Sequence, residues 1–176
     1  VSKSMIESDK QTIGRGAAYI YIQFFVSAIS GYIFWLIITQ LTSSAILGTL
    51  SAIIAISEIL VSFAIIGMPD SVQRFLGKHF YEKKIENAKT YLTASFILVI
   101  LGIFGTCLFV IIDNAVLKLA EIDPNLNLVI IAIVTSLALN LLLTSIVISS
   151  LKTKVLPIVN IISSASKIAL SIFLIL

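Results

Sequence analysis

Five long apolar runs separated by polar links organise this chain: Ala17–Thr39, Ala45–Gly67, Tyr91–Ile112, Leu128–Leu151 and Val155–Leu176. Each is close to the ~20 residues that a helix needs to cross a hydrocarbon core roughly 30 Å thick. Ala17–Thr39 carries no charge and extends about 34 Å as a helix. The polar segment before it holds Lys3, Glu7, Asp9, Lys10 and Arg15. It does not read as a secretory signal, because the apolar run that follows is too long and lacks a small-residue cleavage site. The pattern predicts an all-α integral membrane protein with five transmembrane helices, in which 1–16 is a cytoplasmic segment and 17–176 a single transmembrane lobe. The last run ends on an apolar residue, which we read as a chain truncated inside a helix.

Polar residues within the runs are ordered. Tyr19, Gln23, Ser27 and Ser30 step by four, four and three, continuing the side of Arg15. Ser136, Asn140 and Thr144 repeat at four, and Asn160, Ser163, Ser164, Lys167 and Ser171 share one helix face. Such stripes serve either close helix packing or a water-filled cavity. Glu58 lies well inside the second run. Burying it costs roughly 2.5–3.5 kcal/mol on insertion scales, while the Ile, Leu, Val and Phe residues around it return roughly 4–7 kcal/mol. The run inserts, and Glu58 requires a protein or water neighbour. The third run, with Gly102, Gly105 and Thr106, suits close packing. Asp113–Asn127 reads as a loop with Pro124 and a short amphipathic piece around Val116–Ala120.

The segment Gly67–Gly77, GMPDSVQRFLG, interrupts this regularity. Pro69 removes a backbone donor and clashes with the preceding turn, so the spacing predicts a second helix that bends at Pro69 and extends to about Phe80. Asp70 and Arg74 stand at i and i+4 and share a face. They form either a surface ion pair at a helix end or a charged pair presented to a ligand.

Charge sets the orientation. Apart from Lys118 and Lys167, all 12 Lys and Arg residues lie in the N-terminal segment, the Met68–Thr90 connector or the Lys152–Lys154 link. By the positive-inside bias these face the cytoplasm, which places the N-terminus inside a cytoplasmic membrane. With 59% apolar and 12% charged residues, against about 25% charged in soluble domains, the pI near 9.0 reflects loops and not a nucleic-acid surface. Cys107 and His79 are the sole residues of their kinds, so neither a metal site nor Ser-His-Asp chemistry has a candidate constellation, and no cofactor is expected.

Taken together, RGAAYIYIQFFVSAISGYIFWLIITQLTSSAILGTLSAI, GMPDSVQRFLGKHFYEKK and KTKVLPIVNIISSASKIALSIFLIL resemble the start of the polysaccharide-exporter, O-antigen flippase-like branch of the multidrug/oligosaccharidyl-lipid/polysaccharide flippase superfamily. The likeness rests on Arg15 and Gly16 opening the first helix, on Gly48, and on the pattern of Gly67, Pro69, Arg74, Phe75, Leu76 and Gly77. It implies two lobes around a central cavity open alternately to either side, with this chain supplying part of the first lobe and the second lobe lying elsewhere in the same polypeptide. The implied partners are membrane lipid and a polyprenyl-diphosphate-linked glycan.

On that reading the chain is a non-enzymatic flippase. Arg74, Lys167 and Arg15 supply positive charge for the diphosphate, Arg offering bidentate contacts, and Asp70, Asn160 and Gln23 are further substrate-binding candidates. Two other functions fit the same residues. In a cation-coupled multidrug exporter of the superfamily, Glu58 or Asp70 binds the coupling ion. In a structural membrane subunit, the stripes are interhelical glue and leave no solvated cleft.

Overall fold

The computed structural model describes residues 3–112, 126–150 and 153–175, with side-chain surroundings for 14–112, 126–150 and 153–166. Six helices account for nearly all of them: α1 (Lys3–Leu41), α2 (Ser44–Ile65), α3 (Met68–Tyr81), α4 (Ile85–Ile112), α5 (Asn127–Ser149) and α6 (Val155–Ile175). No strand occurs among the described residues. Gly14–Leu41, α2, α4 and α5 are long and apolar enough to cross a membrane, and the chain is an all-α membrane protein. The fifth run is also helical over 21 residues. Helix α1 starts at Lys3, so the polar N-terminal segment continues the first span as helix. The expected Val116–Ala120 piece lies outside the described residues.

Packing divides the chain into two compact units, one made of Val1–Ser43 with Leu151–Leu176 and one of Ser44–Ser150. In the first, α1 packs on α6. In the second, α2 and α3 pack on both α4 and α5, and α4 packs on α5. Its core is a set of helical stripes: Ile53, Ser57, Leu60, Val61 and Ala64 on α2, Val72 and Leu76 on α3, and Ser95, Val99, Ile103, Thr106 and Val110 on α4. Helix α5 contributes Ile130, Val134, Ala138, Leu142, Ser145 and Ser149. These steps of three and four give each helix one contact face. Because lipid tails are as apolar as the core, van der Waals fit rather than water exclusion selects that face. The fit is tightest at Gly102, where a Cβ would collide with the backbone carbonyl of Ala64. Gly105, one turn on, has open space around it.

The expected bend at Pro69 falls two residues earlier and is a break. Helix α2 ends at Ile65, Ile66 takes φ 36° and Gly67 φ 69°, and α3 restarts at Met68. Pro69 sits in the first turn of α3, where its missing N–H would have had no helical partner and its fixed φ suits the helix. Proline therefore starts the new helix. Glycine supplies the left-handed turn that ends the old one.

Candidate functional site

Contacts on both sides of the break fix the register of α2 and α3 against α4. Gly102 meets Ala64, and the Tyr91 ring lies 5.8 Å from that of Phe75. Eleven steps forward from Ala64 thus match eleven steps back from Gly102, so α2 and α3 run antiparallel to α4 in one register, as a single rod would. Glu58 lies inside the Ser44–Ile65 span, the Ile66–Gly67 break follows the end of that span, and Asp70 and Arg74 lie beyond it on α3.

Glu58, Asp70 and Arg74 are all exposed. Glu58 occupies the side of α2 opposite the core, in line with Ser51, Ala55 and Ser62. The hydroxyls of this line need no solvent: Ser51 donates to the Gly48 carbonyl at 2.9 Å and Ser62 to the Glu58 carbonyl at 3.0 Å. This back-bonding satisfies a hydroxyl within its own helix. The Glu58 carboxyl makes no ion pair among the described residues. Asp70 and Arg74 share α3, yet the anticipated ion pair between them does not form. The Arg74 guanidinium instead lies 5.7 Å from the centre of the Phe75 ring, a cation–π distance. Asp70, in the first turn of α3, is placed favourably toward the positive end of the helix dipole.

In the other unit the polar residues meet each other. Asn160 Nδ2 donates to Ser27 Oγ and, at 3.4 Å, to the Gln23 carbonyl. Gln23 and Asn160 are half-buried in this contact, and Arg15 is exposed. The side chain of Lys167 lies outside the described residues. Two contacts had no counterpart in the sequence reading. Gln73 Nε2 reaches Ser145 Oγ at 3.4 Å, and Ser149 Oγ donates to the Val72 carbonyl at 3.2 Å, tying α3 to α5. The signal for them was the i, i+4 pair Ser145/Ser149, overshadowed by Ser136, Asn140 and Thr144. Of those three, Ser136 and Asn140 are exposed and Thr144 is half-buried.

The charged turn after α3 is superficial. Glu82 pairs with Lys84 at 2.8 Å and more loosely with Lys78 at 3.9 Å. The hydrogen bond from Lys84 holds its carboxyl below the ordinary Glu range, with the Lys84, Lys78 and His79 charges adding to the shift and burial opposing it. Among the described residues no group of His, Cys, Asp and Glu is placed to hold a metal ion. No family model, curated protein or solved structure matches the chain.

Proposed function

We propose that this chain builds part of a transport lobe in an alternating-access membrane flippase, carrying a lipid-linked oligosaccharide or polysaccharide precursor across the cytoplasmic membrane. The observation that carries the reading is Glu58, exposed inside the α2 span and without an ion pair among the described residues, with Asp70 beyond the helix break that follows. Ionisable groups inside a span face a wet cavity or a protein partner and mark transport pathways, and interrupted membrane helices are a recurring element of transporter sites. The substrate class rests on the resemblance to polysaccharide exporters. In this scheme Arg74 receives the diphosphate as it enters from the cytoplasmic side, together with Lys167 and Arg15. Asn160, Gln23 and Asp70 border the glycan path, and Glu58 couples transport to an ion.

A cation-coupled multidrug exporter is the second reading, favoured by the two acidic groups flanking the break. The structural-subunit reading draws support from the Asn160–Ser27 contact, where a polar stripe acts as glue. Transport by the full-length protein separates the three. In the flippase, Arg74→Ala and Lys167→Ala each abolish glycan export while the protein remains inserted. Wild-type export by both variants removes the diphosphate role. Export of cationic drugs that depends on Glu58, with no glycan export, establishes the second reading, and no transport of either kind establishes the third.

A further inference from the structure

The α2–α4 seam opens into a groove on the half of the unit toward Ser44. Its volume is about 410 Å³, and it is lined by Ile56, Ile59, Leu60 and Phe63 of α2 and by Gly105, Thr106 and Phe109 of α4. Leu60 and Thr106 form its buried floor, at 6% and 9% exposure, while Ile59 and Phe63 stand out as rims. Gly105 creates the space, since a Cβ there meets nothing within 4 Å. The single hydroxyl in the lining is already satisfied, Thr106 Oγ1 donating to the Gly102 carbonyl at 2.9 Å. Nothing in the groove calls for a polar ligand.

Depth and length identify the occupant. Ile56–Phe63 lie inside the Ser44–Ile65 span and Gly105–Phe109 inside Ile85–Ile112, which puts the groove within hydrocarbon. Because α2 and α4 run antiparallel, Phe63 lies toward one end and Phe109 toward the other, leaving a slot roughly 10 Å long. The rims Ile59 and Phe63 stand 59% and 69% exposed, so no helix among the described residues covers the slot. A single flexible alkyl chain needs no more than this slot. We infer that the α2–α4 groove is a binding site for one acyl chain of a membrane phospholipid, seated on Leu60, Gly105 and Thr106 between Phe63 and Phe109. The inference does not depend on the flippase reading.

Native mass spectrometry of the whole chain, purified in mild detergent from phosphatidylcholine-containing membranes, tests it. The protein is expected to retain one phospholipid after detergent washing. Two independent fills, Gly105→Leu and Ile59→Trp, are each expected to lower retention at least fivefold. Gly48→Leu fills equally open space outside the groove and is expected to leave retention unchanged. Absence of retained lipid in the unsubstituted protein, or undiminished retention in both fills, overturns the site. A second measurement uses Phe109→Trp in a Trp35→Phe background, in vesicles of phosphatidylcholine brominated on its acyl chains. Strong quenching of the introduced indole is expected. Fluorescence shielded from the bromines would mean that a protein segment covers the groove, which also overturns the site.

Discussion

In the unit built from α1 and α6, Asn160 reaches across to Ser27 and to the Gln23 carbonyl. In the unit built from α2 to α5, Glu58 lies on the outer side of α2 with no ionic partner among the described residues, while the hydroxyls beside it bond to their own helix. Both surfaces look alike in the sequence, as polar residues three and four apart in an apolar run. Their energetics differ. An amide answered by a neighbouring helix is adhesive. A carboxyl inside an apolar span costs roughly 2.5–3.5 kcal/mol until a water or protein neighbour answers it, and none of the described residues does so as an ion pair.

That contrast can be broken most sharply at Glu58. Substituting Glu58→Leu should improve insertion of Ser44–Ile65 by roughly 3–4 kcal/mol in a translocon assay, while on the flippase proposal glycan export falls to background. Improved insertion with export intact would make Glu58 incidental. Packing gives the next largest effect. Gly102→Val should destabilise the α2–α4 contact by about 1–3 kcal/mol, as overpacking does, whereas Gly105→Ala should be neutral or stabilise by roughly 0.5–1 kcal/mol through helix propensity. Reversible unfolding in mixed micelles measures both, and equal effects at the two glycines would contradict the register.

Adhesion in the first unit should be smaller. Asn160→Ala and Ser27→Ala are expected to couple by about 0.6 kcal/mol in a double-mutant cycle, with roughly 1.7 kcal/mol a ceiling for such bonds in membranes. Additive effects would show that the stripe is not glue. The smallest effect belongs to Glu82. Its folded-state pKa is lowered, so its contribution to stability is present above the ordinary Glu value and disappears as pH falls through the folded value. Being exposed and screened, it should barely move global stability. An NMR titration of Glu82 should show a lowered midpoint that rises toward normal in Lys84→Gln, and an unchanged midpoint would mean that the Lys84 hydrogen bond is not its cause.

The helices were legible because a run of some 20 apolar residues has few alternatives in lipid: backbone groups must pair within the segment. Glycine spacing was legible as a tendency toward close packing, but not which glycine touches. Gly102 meets a backbone and Gly105 opens a groove, a choice made by the phase of α4 against α2. The Pro69 rule pointed to the right turn and assigned it to the wrong residue. A helix can be terminated by left-handed residues upstream, leaving proline at the start of the next. Asp70 and Arg74 have the spacing of an ion pair without forming one, because i, i+4 proximity permits a contact and rotamers decide whether it is made.

The break at Ile66–Gly67 also has a mechanical meaning. It preserves the register of α2 and α3 against α4, so Phe75 still meets Tyr91 and Ser149 still reaches the Val72 carbonyl. Sliding α3 by one residue along its neighbours would misalign both contacts, whereas tilting it about the left-handed turn keeps the residue levels matched. Side-chain and backbone contacts with α4 and α5, and not continuity of helix with α2, therefore hold α3 at its axial level.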